Sequence, residues 1–137
     1  MKTTLQSGVT LTRRVDIDRD RTIDFMGDEC RVYATPSLVR DIEHACRDLI
    51  LEHANAGEDS VGTFVSLHHT AATLMDMWAE ITVTVTAVDG RRVRFAVSGN
   101  DPLEPICKGE HERFVVDVAK TAERLKGKLA KVAAGAL

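Results

Sequence analysis

The sequence predicts an α+β domain in which one long amphipathic helix lies against a curved antiparallel sheet. Three observations predict it: a helical apolar stripe within residues 36–54, two-residue alternation in the segments that follow, and an Asp-Gly pair joining two of them. At 137 residues the chain is read as a single domain over 1–137, with a core of about 9–118 and a tail over 119–137. Hydrophobic residues at 44% and charged residues at 28% fit a folded globular protein. A net charge of -3 supplies no global positive field for a nucleic-acid backbone, so no nucleic-acid partner is expected. There is no apolar run of about 18 residues to cross a membrane, and Met1 to Thr10 lacks the apolar stretch of a secretory signal. No membrane partner and a cytoplasmic location are the expectations. Cys30, Cys46 and Cys107 form no CxxC pair and are read as reduced thiols, and the histidines and acids show no tight ligand spacing, so no metal is expected.

Along the chain, Val9–Val15 and Thr22–Met26 read as short β-like stretches. Thr35-Pro36 reads as a helix start, the threonine able to cap and the proline needing no amide partner. From Pro36 to about Ala54, Leu38, Ile42, Ala45 and Leu49 fall on one stripe, widened by Val39, Cys46 and Ile50. Asn55 and Gly57 suit the turn that ends it. Val61–Leu67 and Ile81–Ala87 then alternate as strands, and Asp89-Gly90 predicts a hairpin into Arg91–Val97. Asn100-Asp101-Pro102 breaks the run, Pro105–Cys107 resumes it, and Arg113–Val118 reads as a last strand. The Ala-, Lys-, Glu- and Leu-rich segment beyond Asp117 reads as a short helical or frayed tail. A sheet wrapped around one helix is the hotdog arrangement, although element order alone also permits other small α+β folds.

Several residues can carry chemistry. Glu43 lies on the margin of the apolar stripe, where a partly desolvated carboxylate suits a general base and an ordinary edge residue reaches solvent. His68 and His69 end a strand and point to opposite faces, so one faces inward. Thr35 reads as the helix cap, and a hydroxyl at the positive end of the helix dipole can also touch an acyl carbonyl or a developing oxyanion. Gly62 allows close approach of backbone to a ligand or marks a bulge. His111-Glu112-Arg113 is accounted for by a solvated strand edge, and Arg91, Arg92 and Arg94 form a basic patch that either meets a phosphate or solubilises the surface.

Taken in order, Ala34-Thr35, Glu43, Ser60-Val61-Gly62-Thr63, His69-Thr70-Ala71-Ala72-Thr73, the Thr82–Thr86 strand, Asp89-Gly90-Arg91-Arg92, Gly109 and His111-Glu112-Arg113 form a pattern. Over roughly residues 31–118 this pattern resembles the hotdog-fold acyl-CoA thioesterases of the fluoroacetyl-CoA thioesterase-like branch. The resemblance implies a hotdog fold and a metal-independent thioester hydrolase, with Thr35, Glu43 and His69 as catalytic residues and Gly62 and Arg113 lining the acyl pocket. It also implies an acyl-CoA substrate, no cofactor beyond the CoA of that substrate, and a homodimer whose active sites are completed across the interface. Two stretches depart from the pattern. Gly27-Asp28-Glu29-Cys30-Arg31 stands where the fluoroacetyl-specific enzyme has an apolar, phenylalanine-containing gate, and Leu74-Met75-Asp76-Met77-Trp78 stands where the family tends to a Pro-Gly turn. The acyl group is therefore left open, with a short or medium chain expected on CoA or an acyl carrier. A non-catalytic acyl-CoA binding or sensing module is the alternative. Hydratase chemistry ranks last, because the helix offers Glu43 with His44 in place of the usual aspartate and histidine.

Overall fold

The computed structural model describes residues 1–135, so the last two residues of the predicted tail lie outside the described residues. The alternating segments become strands longer than the sequence predicts: β4 spans Glu58–His69, β5 Trp78–Asp89, β6 Arg92–Asn100 and β7 Pro105–Asp117. β7 joins the two segments that the sequence separates into Pro105–Cys107 and Arg113–Val118. With β1 (Thr10–Asp16) they form one antiparallel sheet in the order β1-β5-β6-β7-β4. The hairpin forms one residue later than predicted, since Asp89 pairs with Arg92 and the turn is Gly90-Arg91. Gly90 carries the positive φ of 59° that a two-residue hairpin turn requires. Thr22–Met26 yields only a two-residue strand, β2 (Thr22–Ile23), paired with β3 (Val32–Tyr33). Phe25 and Met26 turn outward into solvent, where no strand partner or core neighbour holds them.

The helix α1 spans Thr35–Leu51 and ends three residues before the predicted Ala54. It buries Leu38, Asp41, Ile42, Ala45, Cys46, Leu49 and Ile50 against the sheet. The sheet answers with one face of each strand: Ile81, Val83 and Val85 from β5, Val93, Phe95 and Val97 from β6, Val115 from β7. This helix laid in a curved sheet is the hotdog layout expected. Leu5, ahead of the predicted core, is buried with them. Beyond the sheet, the tail forms a full helix, α2 (Val118–Ala133), capped by the Asp117 side chain on the Lys120 amide, and none of its residues is buried. No helix among the described residues is long and apolar enough to cross a membrane. The cysteines are free thiols, Cys46 and Cys107 buried and Cys30 exposed.

Candidate active site

The first turn of α1 departs from the sequence reading. Ala34, not Thr35, occupies the N-cap position and offers no side-chain cap. Thr35 is the first helical residue, and its hydroxyl bonds instead to His69 Nδ1 at 2.8 Å. A capping hydroxyl would contribute about 1 kcal/mol; here the oxygen joins a histidine 34 residues away. His69 is half-buried while His68 faces solvent, as the alternation of β4 requires. The other ring nitrogen, His69 Nε2, is buried and has no hydrogen-bond partner. A pocket of about 270 Å³ opens here, bounded by Thr35, His69, Tyr33, Ile23, Val32 and the Thr70–Ala72 segment. Its walls are mostly apolar, and the polar groups converging on it are a hydroxyl and an imidazole.

Glu43 lies elsewhere. Eight residues beyond Thr35 on one helix, it is carried about 12 Å along the axis, and its carboxylate faces Gly62, His111 and Arg113. A Cβ built on Gly62 would stand 3.0 Å from Glu43 Oε1, 3.3 Å from His111 Cε1 and 3.4 Å from Arg113 Nη1. A side chain at position 62 would therefore crowd the carboxylate and its neighbours, and the register shift between Gly62 and Phe64 supplies the bulge as well. Within one chain, then, the predicted residues form two groups: Thr35 with His69, and Glu43 with Gly62 and Arg113.

The second group corrects another expectation. His111 and Arg113 are not a solvated edge: they are 0% and 5% exposed, on the inward parity of β7 together with Val115. Arg113 donates through Nε to Ser60 Oγ at 2.7 Å and through Nη2 to the Ser60 carbonyl at 2.8 Å, while Nη1 lies 3.2 Å from His111 Nε2. Because the guanidinium can only donate, His111 Nε2 accepts, and the ring proton sits on Nδ1, donated to the Phe64 carbonyl at 2.7 Å. The histidine is thus held as one neutral tautomer, its ring stacked beside Phe95. Burial lowers the pKa of Arg113 and the charge of Glu43 opposes that shift, which keeps a cation facing a carboxylate in a shielded place. The basic patch proves to be partly neutralised: Arg91 pairs with Glu58 and Arg94 with Glu112, leaving Arg92 exposed.

Burial pushes the pKa of both His69 and His111 below the usual 6.5. Depressed imidazoles make the fold acid-sensitive, because below about pH 6.5 the unfolded chain takes up protons that the folded chain refuses. Their contribution is present above that pH and lost as pH falls through the folded-state values. Thermal unfolding at pH 7.5 and 5.5, where carboxylates stay ionised, should show a lower Tm at the acid pH. The drop should shrink in His69→Gln; an equal drop in both proteins would refute the assignment.

Comparison with known proteins decides the family. The family model described as fluoroacetyl-CoA-specific thioesterase matches residues 17–119. The chain belongs to this family. The fluoroacetyl-CoA thioesterase of Streptantibioticus cattleyicolor is 34% identical over 97 residues, which are 71% of this chain and 70% of that protein. A solved structure of a mutant fluoroacetyl-CoA-specific thioesterase in complex with fluoroacetate and CoA matches with a TM-score of 0.77 at 29% identity, over 85% of this chain and 99% of that one. A hot-dog-like protein from Thermanaerovibrio acidaminovorans matches with a TM-score of 0.81 over 89% of this chain and 91% of that one; at 22% identity it speaks to the fold alone. Membership makes the chain a thioester hydrolase of hotdog fold. The strings that carried the resemblance, from Thr35 to Arg113, lie inside the matched span.

Proposed function

We propose that the protein hydrolyses a short- or medium-chain acyl-CoA, or the corresponding acyl-carrier thioester, at a site assembled by two copies of the chain. One copy contributes Thr35 and His69, and the other contributes Glu43 with Gly62 and Arg113. The observation that carries this reading is the separation of the two groups in one chain, combined with the position of β4 as an open edge strand. β4 exposes Val61, Phe64 and Val65, an apolar surface a lone strand edge would not be expected to leave in water. Antiparallel pairing of two β4 strands about their midpoint sets Glu58 of one copy beside His69 of the other. The Glu43 group of one chain then approaches the Thr35–His69 pocket of its partner. Relatives solved with CoA support an acyl-CoA substrate.

The chemistry follows from the donors and acceptors. With its proton on Nδ1, His69 donates to Thr35 Oγ1, which frees the threonine hydrogen for the thioester carbonyl oxygen. Nε2, buried and otherwise unpartnered, accepts from a water molecule and orients it. Glu43 takes that water's proton as its oxygen bonds to the carbonyl carbon. Collapse of the tetrahedral intermediate breaks the C–S bond, and the thiolate leaves and recovers a proton from the Glu43 carboxyl through the site. Arg113, facing Glu43, offsets the negative charge at the site. The small volume of the pocket and its Ile23, Val32 and Ala71 walls favour a short acyl chain.

Mixing two inactive variants tests the assembly. Glu43→Gln and His69→Ala chains, unfolded together and refolded, form heterodimers in which one of the two sites is intact. Activity on acetyl- to hexanoyl-CoA should return to about a quarter of the wild-type value per chain. No recovery, with heterodimers verified by mass, would place all three residues in one chain. Saturable CoA-ester binding without hydrolysis by the wild type would make the protein a binding module instead.

A further inference from the structure

His69 is held by one hydrogen bond, and one hydrogen bond leaves an imidazole free to swing about the bonded nitrogen. Against that ring stands Tyr33, edge-to-face at 6.3 Å between centroids and 80° between planes. Tyr33 is itself 2% exposed, and its hydroxyl donates to Asp41 Oδ2 at 2.5 Å. Asp41 is a buried carboxylate on α1, and it is gripped on its other side by Arg21, through Nε at 2.9 Å and Nη2 at 3.2 Å. Arg21 closes the loop: its carbonyl accepts the Ala34 amide, and Asp18 binds its Nη1. Ile23, two residues on, is a wall of the pocket. A partly buried ion pair is weak evidence for stability alone. It is a good device for fixing three elements in one register.

We propose that Tyr33, clamped by Asp41 and Arg21, is a positioning residue that sets the plane of the His69 ring and holds in place the β2–β3 strands that wall its pocket. This inference rests on the reading of His69 as the working imidazole, and deepens it. The groups around the ring are Tyr33 from β3, Thr35 from α1, and Cys107, its register partner on β7. Burial pushes both the tyrosine and the thiol up, so neither is charged at neutral pH. The charges of Asp41 and Arg21 lie behind Tyr33 and oppose each other. Shielding, not a neighbouring charge, therefore holds His69 down. Loosening these strands exposes the ring to bulk solvent and lets the imidazole titrate nearer its ordinary value.

The experiment uses the full chain with Tyr33→Leu, Tyr33→Phe, Asp41→Asn and Arg21→Gln, read by the imidazole NMR signal of His69 against pH and by steady-state kinetics on acetyl-CoA. Tyr33→Leu, Asp41→Asn and Arg21→Gln should move the His69 midpoint up toward 6.5. They should lower kcat by about tenfold with KM within about twofold, as expected when a reacting group is misoriented and binding is intact. Tyr33→Phe, which keeps the ring, should fall between these and the wild type. If Tyr33→Leu does not fold, Arg21→Gln, further from the core, carries the test. A His69 midpoint unmoved in every folded variant would overturn the proposal, even where Tm falls, because a purely structural clamp lowers Tm alone. The NMR arm needs no turnover, so an unmoved midpoint and an inactive wild type are separate failures.

Discussion

Replacing Glu43 by glutamine, or His69 by alanine, is expected to slow thiol release from acyl-CoA by about 10²- to 10⁴-fold, the range for loss of positioned acid-base help. The glutamine is nearly isosteric and keeps an oxygen where Gly62 makes room for it and Arg113 faces it. It loses the ability to take a proton from water. The deficit should therefore fall on kcat and leave KM nearly unchanged, since an interaction needed only in the transition state has been removed. His69→Ala deletes the proposed water acceptor and leaves the Thr35 hydroxyl without its partner, so it should also fall on kcat. Thiol release followed with a colorimetric reagent, on protein shown by circular dichroism to be folded, decides the matter. Rates within about threefold of wild type in both variants would remove these residues from the chemistry.

Gly109→Ala is expected to cost the fold about 3 kcal/mol or more, at the upper end for forcing atoms into a packed place, and to lower Tm by about 10 °C. The reason is backbone, not side chain. A Cβ at Gly109 would lie 2.0 Å from the Ser66 carbonyl oxygen and 2.9 Å from Leu67 Cα, both in β4. Nothing there can rotate away, so β4 must separate from β7 where Leu67 pairs with Gly109. His69 sits two residues further along the displaced strand, and its bond to Thr35 goes with it. Gly127→Ala in α2, where no atom lies within 4 Å of the added methyl, is the control and should leave Tm unchanged or slightly raised. A Gly109→Ala protein melting within about 2 °C of wild type would show that the strands give way cheaply.

What was legible in the sequence was whatever depends on near neighbours along the chain. The stripe of Leu38, Ile42, Ala45 and Leu49 announced α1, and the alternation of Val93, Phe95 and Val97 announced the inward face of β6, because periodicity is a local quantity. Thr35 was readable as a capping hydroxyl for the same reason, and that reading failed because its partner is 34 residues away. Charge alone makes His111 and Arg113 a solvated edge. Parity held the better signal, since both alternate with Glu110, Glu112 and Phe114 and share the face of buried Val115. Asp41 could be placed on the buried stripe from its spacing to Leu38 and Ala45, but Arg21 and Tyr33 come from outside the helix and nothing local ties them to it. The strings around Thr35, Glu43, Gly62, His69 and Arg113 point to the family by themselves, whereas the division of these residues into two groups depends on the lengths of α1 and β4.

The open edge of β4 carries one more consequence. Twelve residues of extended chain with one unbonded side, flanked by Val61, Phe64 and Val65, form a template on which any stray strand can grow. In the proposed dimer a second copy covers that side, so pairing of two copies competes with clumping of many. Refolding at high starting concentration should therefore lose more material to precipitate than refolding in dilute solution, because clumping recruits many copies and pairing only two.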